Sequence, residues 1–356
     1  MSMGILIAGS GKIGRDTGMY FLKRGNAVTW VSANEARLVE LQAWVDKSVR
    51  MHLKYSGGAV KRLAASFFLY GELEDDKFDV IVECSKEHLE EKKKVVSRLE
   101  KYLNGALLLS TSSSLLPSSI HPACAGFHVF YPLEFTKTAE TVVPASLSFL
   151  KINALNSLCA ENGITPIMQT EKNAFSVNRL LLPLQNEVFR LIENGIAAAD
   201  INKVSASPLL PIGQLDFIKK IGPAVVRASV ENYRFRMRPE EADAFTQLSN
   251  GLVDFMGPSV SRQSSKELSP NDLGALKRRL YYLFINTCLD FIEQKEMRAA
   301  DLDHALDSVF GAEIAFDQAV RDEGKQVISD TLNEVFDKTR IEYFRPRPAL
   351  SIGGNF

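Results

Sequence analysis

The chain has 356 residues, 46% of them hydrophobic and 24% charged, which is ordinary globular usage and excludes a disordered or fibrous protein. A formal net charge of -1 leaves no basic footprint for nucleic acid, so a polyanionic partner would have to be small and locally bound. The length exceeds what one hydrophobic core usually organises, and two or three domains are expected.

In chain order, Gly4 to Ala8 is a short apolar run that predicts a strand. GSGKIG follows, then a helical pattern through Lys23, closed at Gly25, where glycine tolerates the left-handed conformation of a helix end. Ala27 to Val31 predicts a second strand, and residues 34 to 55 a helix with Leu38, Leu41, Trp44 and Val45 on its inner side. FDVIVEC from Phe78 is a near-continuous apolar run, as a parallel strand covered on both faces requires. A helix is expected over Glu87 to Tyr102 and a strand over Ala106 to Ser110. This alternation defines an α/β, Rossmann-type, doubly wound N-terminal domain.

From about residue 171 the pattern turns to long amphipathic helices, so the C-terminal region is expected to be all-α. It also repeats. NRLLLPLQNEVFRLIENG at Asn178 returns roughly 100 residues later as RRLYYLFINTCLDFIEQK, and each copy is followed by an Ala/Asp segment, AAADIN and AADLDH. Arg179 matches Arg279, Asn186 matches Asn286, and Glu193 matches Glu293. Two repeated helical units are therefore expected, joined by the Ser- and Pro-rich stretch GPSVSRQSSKELSPND. The expected domains are 1–172, 173–268 and 269–356.

Gly9, Gly11 and Gly14 form GxGxxG directly after a strand and at the opening of a helix. In that context Gly9 permits the tight turn, Gly11 lets the backbone approach a pyrophosphate, and Gly14 allows close helix-to-strand packing. A dinucleotide is the expected ligand, with Lys12 and Ile13 in the same turn. The carboxylate expected at the end of the second strand to bind the adenosine ribose is replaced by Ser32. Serine does not repel a 2'-phosphate and Arg37 follows on the helix, so NAD is expected and NADP stays open.

Of the five histidines only His128, in AGFHVFYPLEF, lies where a strand leaves the sheet into a Pro-broken loop, the place where α/β sheets meet ligands. Glu140 begins the next apolar stretch, and a turn between the two segments would bring its carboxylate beside the imidazole. Such a carboxylate fixes the tautomer and stabilises the imidazolium that forms when a hydroxyl gives up its proton. The serines of STSSS at Ser110 to Ser114 offer hydroxyls for a reacting oxygen or caps for a helix, and Asn178 opens the first long helix of the second half. The cysteines Cys84, Cys124, Cys159 and Cys288 show no CxxC spacing and read as reduced core thiols, with no metal site. No basic leader and no membrane-length apolar stretch is evident, so no membrane partner and a cytoplasmic location are expected.

Taken in order, GSGKIG, VECSKEHLEEK from Val82, TSSSL from Thr111, GFHVFYP through Glu140, and AFSVNRLLLP from Ala174 resemble the 3-hydroxyacyl-CoA dehydrogenase family. The resemblance implies His128 as the base, Glu140 as its partner, Ser113 and Asn178 as substrate-oxygen ligands, and Glu87 and Lys92 as cofactor contacts. It also implies that Ser48, with Lys54 beside Tyr55 at the family's lysine position, meets the CoA group. The two helical copies resemble the dehydrogenase part of the bacterial fatty-oxidation multienzyme alpha subunit. They imply a monomer in which the second copy fills a dimer partner's place. Departures fall at Ser32, Thr111, Tyr131 and PIGQL from Pro211.

The expected reaction interconverts a (3S)-3-hydroxyacyl-CoA and its 3-ketoacyl thioester with a nicotinamide. The same chemistry on an acyl-carrier-protein thioester or a free hydroxy acid is the near alternative. A non-catalytic dinucleotide-binding protein is the alternative of another class.

Overall fold

The computed structural model describes residues 2–55, 63–73, 77–233 and 268–351. The chain divides into two compact units, Met1–Phe175 and Ser176–Phe356. The helical copies expected at 173–268 and 269–356 thus belong to one compact body. Of the Ser- and Pro-rich stretch expected to join them, residues 257–267 lie outside the described residues, while Ser269 caps the helix Pro270–Glu293.

The first unit is built on β1 (Gly4–Ala8), β2 (Ala27–Ser32), β3 (Ala65–Leu69), β4 (Val80–Glu83), β5 (Leu107–Ser110), β6 (Cys124–Val129), β7 (Thr138–Val143) and β8 (Thr165–Thr170). They form one sheet in the order β3-β2-β1-β4-β5-β6-β7-β8. The strands up to β6 pair in parallel, β7 is antiparallel to β6, and β8 is parallel to β7. The first six follow the doubly wound order, in which ligands lie outside the carboxyl ends of the strands.

Alternate side chains of each strand enter opposite cores. Ile5, Ile7, Val80, Val82, Leu107, Leu109 and Phe127 pack with α1 (Lys12–Lys23), α2 (Glu35–Tyr55) and Leu155 and Leu158 of the helix Phe149–Glu161. Leu6, Ala8, Ile81, Leu108 and Cys124 pack with Val96 of α3 (Leu89–Arg98), and with Leu99 and Tyr102 beyond it. The same alternation puts Glu83, Ser110, His128 and Glu140 on this second face.

Two local expectations need correction. Trp44 is 36% exposed, while Leu38, Leu41 and Val45 are buried, and the Arg15 guanidinium lies 5.2 Å from its ring. The helix expected from Glu87 begins at Leu89, because Glu87 turns its carboxylate toward the serine loop. All four cysteines are free and buried, and burial pushes the Cys84 and Cys159 thiols up to about 12.

In the second unit the helix order repeats. Leu182–Glu193, Ala198–Val204, Gln214–Ile221 and Pro223–Tyr233 are followed, about 100 residues on, by Pro270–Glu293, Ala299–Ala305, Phe316–Glu323 and Lys325–Thr339. Local devices repeat too. Asn202 Oδ1 accepts from Leu215 N, and Asp303 Oδ1 accepts from Phe316 N, so each short helix caps the next one. Gly222 and Gly324 take φ of 105° and 80° where the last two helices of each copy join. Between the copies, Arg279 pairs with the fully buried Glu187 at 2.8 Å and Arg179 with Glu296 at 3.0 Å. Among the described residues no helix is long and apolar enough to cross a membrane.

Candidate active site

The glycine turn meets the steric demands of a phosphate cradle. Gly9 has φ of 146°, and a Cβ there would lie 2.7 Å from the carbonyl oxygen of Cys84, the residue just past the end of β4. A Cβ on Gly14 would lie 2.4 Å from the Gly9 carbonyl oxygen, so α1 starts against the turn only because that atom is missing. Gly11, the N-cap of α1, has nothing within 4 Å of its Cβ position. An open glycine at a helix N-terminus with no capping side chain is the arrangement that admits a pyrophosphate to the backbone N–H groups. Lys12 Nζ lies 3.8 Å from the centre of the Tyr131 ring, in the loop that follows His128. Asp16 Oδ2 accepts from Leu133 N at 2.8 Å, so α1 and that loop are pinned together. Ile13 is partly buried against the core.

Strand pairing makes the acid-base pair. His128 stands directly opposite Glu140 across the antiparallel β6–β7 ladder, where paired side chains share a face. His128 Nδ1 lies 2.7 Å from Glu140 Oε2, with Glu140 fully buried and His128 9% exposed. A carboxylate only accepts, so Nδ1 carries the proton and Nε2 is the atom left to take one. Phe130 and Phe175 flank the imidazole with ring centres at 4.6 and 5.9 Å. The other Glu140 oxygen, Oε1, accepts from Gln169 Nε2 at 2.7 Å, and Gln169 Oε1 accepts from Phe175 N at 2.6 Å.

A second polar cluster lies on the same sheet face. Lys92, expected as a direct cofactor contact, is enclosed: its ammonium donates to Glu83 Oε2 at 2.8 Å and stands 3.8 Å from Glu87, with its side chain 1% exposed. It therefore anchors carboxylates. Glu87 Oε1 accepts from Ser112 Oγ at 2.7 Å, Ser113 N at 3.0 Å, Ser113 Oγ at 3.3 Å and Ser114 Oγ at 2.6 Å. Ser110 Oγ donates to Glu83 Oε2 at 2.7 Å. Burial works to raise the Glu87 carboxyl, but the Lys92 ammonium and the Ser114, Ser112 and Ser113 donors outweigh it and hold it below the usual carboxylate range. Burial works against the Lys92 ammonium too, and Glu83 and Glu87 outweigh it, so its pKa lies above that of an ordinary lysine.

The remaining expected residues are spread out. Ser32 Oγ accepts from Asn34 N at 3.1 Å in the turn before α2, Asn34 Oδ1 caps α2 by accepting from Arg37 N at 3.0 Å, and Arg37 is exposed. Ser48 Oγ donates to the Trp44 carbonyl on the exposed side of α2, and Lys54 Nζ lies 5.6 Å from the Tyr55 ring. Asn178 is in the second unit, where its Nδ2 reaches the Tyr233 hydroxyl at 3.3 Å. Sequence reasoning missed Glu83, Gln169 and Phe175. A signal for Glu83 existed, a charge closing an apolar strand, whereas Gln169 stands in a strand whose pairing nothing local announces.

The doubly wound sheet and the open glycine turn define a dinucleotide-binding fold, and the same sheet carries the buried histidine-carboxylate pair. Comparison with known proteins makes the assignment specific. Residues 4–172 match the family model for the NAD binding domain of 3-hydroxyacyl-CoA dehydrogenase, and residues 175–259 match its C-terminal domain. The chain belongs to the 3-hydroxyacyl-CoA dehydrogenase family, and its first unit is the family's NAD-binding domain.

Among curated relatives, the fatty acid oxidation complex subunit alpha of Idiomarina loihiensis is 29% identical over 154 residues, 41% of this chain. That match spans only 22% of the relative's length. The crystal structure of 3-hydroxybutyryl-CoA dehydrogenase from Escherichia coli K12 has a similar fold, with a TM-score of 0.76 over 98% of each chain at 16% identity. The (S)-3-hydroxybutyryl-CoA dehydrogenase of Ralstonia eutropha superposes with a TM-score of 0.62 at 21% identity, covering 76% of this chain and all of that one.

Proposed function

We propose that this chain is an NAD-dependent oxidoreductase that interconverts a 3-hydroxyacyl-CoA and the 3-ketoacyl-CoA, with His128 as acid and base. The observation that carries the reading is the 2.7 Å contact between His128 Nδ1 and the fully buried Glu140, on a sheet that also bears the open glycine turn. The turn of Gly9, Gly11 and Gly14 would hold NAD, which would supply the hydride acceptor, or as NADH the hydride donor, for C3 of the acyl group. His128 Nε2 takes the proton of the C3 hydroxyl during oxidation and gives it back to the oxygen during reduction. Glu140 holds the imidazole in the required tautomer and balances its charge once protonated.

Ser113 and Asn178 are assigned to the substrate oxygen, and Ser48 and Lys54 to the CoA group. Gly9, Gly11, Lys12, Ile13, Gly14 and Ser32 are assigned to the dinucleotide. Glu87, 20% exposed, is assigned to the cofactor edge, with Lys92 acting through it. The repeated helices, with arginines that cross between copies in both directions, support an internal pseudo-dimer in a monomeric chain. A cytoplasmic location belongs to the same reading.

Initial rates with acetoacetyl-CoA, an acetoacetyl acyl-carrier protein, gulonate and carnitine, each with both nicotinamides, test the substrate. The CoA thioester with NAD(H) should give the highest kcat/KM. A preference of tenfold or more for the carrier protein or a free acid contradicts the reading, and a strong NADH preference removes any role for Arg37 in binding a 2'-phosphate.

A further inference from the structure

Glu140 has two oxygens, and Oε2 meets His128. The other accepts from Gln169, which comes from β8, beyond the hairpin that creates the pair. The orientation of this amide is fixed by its far end. Phe175 N is a donor without acceptor capacity, so the atom 2.6 Å from it must be the amide oxygen, which turns the NH2 group toward Glu140. Gln169 is 5% exposed and Phe175 fully buried, so neither contact is a surface accident. Phe175 takes φ of 59°, a left-handed conformation uncommon for a bulky residue, and in it serves the pair twice. Its N–H holds Gln169 while its ring stands edge-on to His128 at 5.9 Å.

We propose that Gln169 is a positioning residue for proton transfer: its amide locks the second Glu140 oxygen, so that Glu140 presents the first to His128 in a single orientation. This rests on the reading of His128 as the base. A carboxylate held at one oxygen can pivot about its Cγ–Cδ bond, and the imidazole then samples ring orientations in which Nε2 is misaimed. Held at both, it cannot. Donation from Gln169 also gives that oxygen a buried hydrogen bond.

The test compares the wild type with Q169M, which keeps side-chain volume without the amide, and with Q169A, which removes the amide with a different packing defect. NADH affinity is read by fluorescence, folding by thermal melting, and kcat, KM and the solvent isotope effect on kcat with acetoacetyl-CoA. Both variants should lose kcat about tenfold or more, with KM and NADH affinity within about twofold of wild type, because proton transfer alone is impaired. The solvent isotope effect on kcat should rise as the proton step becomes more rate-limiting. Adding Q169M to E140A should cost nothing further, since the amide then has no carboxylate to hold.

Retention of wild-type kcat in a folded Q169M or Q169A protein overturns the proposal. So does a kcat loss with an unchanged solvent isotope effect, or one that adds fully to that of E140A. H128Q distinguishes this failure from failure of the underlying reading. If H128Q abolishes turnover and the Gln169 variants are indifferent, only the positioning role falls, whereas undiminished turnover in H128Q removes the base itself.

Discussion

A methyl group on Gly14 would press on the Gly9 carbonyl oxygen at 2.4 Å, and one on Gly11 would meet nothing within 4 Å. The two glycines therefore separate stability from binding. Gly14→Ala should destabilise the chain by about 1–3 kcal/mol through overpacking. Gly11→Ala should leave the melting curve within about 0.5 kcal/mol, while NADH affinity measured by fluorescence falls about tenfold or more, because the added Cβ occupies the side from which a pyrophosphate approaches. Equal NADH affinity in Gly11→Ala and wild type would place the dinucleotide elsewhere. At this scale the sequence was informative where one residue type answers one demand. Glycines in a strand-turn-helix context and a histidine followed by a carboxylate could be read directly. Gln169 could not, because its function depends on β8 pairing with β7, and glutamine is not a residue type whose presence in a strand calls for explanation. Lys92 could be picked out but not understood, since only the fold shows that two carboxylates enclose it.

At the scale of elements, the β4–α3 connection and the serine loop after β5 are bound by buried charge. Lys92→Met would leave Glu83 and Glu87 without their shared cation, and loss of one partner from a buried pair typically costs about 3–5 kcal/mol. The pH dependence has a definite sign. The Glu87 pKa is lowered in the folded chain, so its contribution is present above the ordinary carboxylate value of about 4.3 and is lost as pH falls through the depressed value. The Lys92 pKa is raised, so its contribution is present below about 10.4 and is lost as pH climbs through the higher folded value. Wild type should melt well above Glu87→Gln at pH 7, and the gap should narrow once pH drops below about 4. A gap independent of pH contradicts an ionised Glu87. The strands foreseen from the sequence were those whose apolar run is continuous, as in β1 and β4. β3 is as long as β1, but the exposed Ser66 interrupts its apolar run and its other residues are only partly buried, and the antiparallel turn into β7 is a property of the pairing.

For the molecule as a whole, the repeated helices support the proposed internal pseudo-dimer. Glu187 is fully buried and receives Arg190 from its own helix and Arg279 from the other copy, while Arg179 crosses to Glu296. Such reciprocal contacts resemble a two-fold interface contained in one chain. Sedimentation should therefore give the monomer mass of 39.5 kDa, and an obligate dimer formed through residues 276 to 310 would contradict the pseudo-dimer. The repeated helix order was legible because matched residues recur in order with the same downstream cue. Which arginine meets which carboxylate was not, because those partners are remote in sequence. The central claim, that His128 moves the substrate proton, is tested most directly by acetoacetyl-CoA reduction with NADH in wild type and His128→Gln. A kcat loss of about 10²–10⁴-fold is expected, with NADH affinity and melting temperature preserved; turnover by a folded His128→Gln protein within a few fold of wild type would contradict that role.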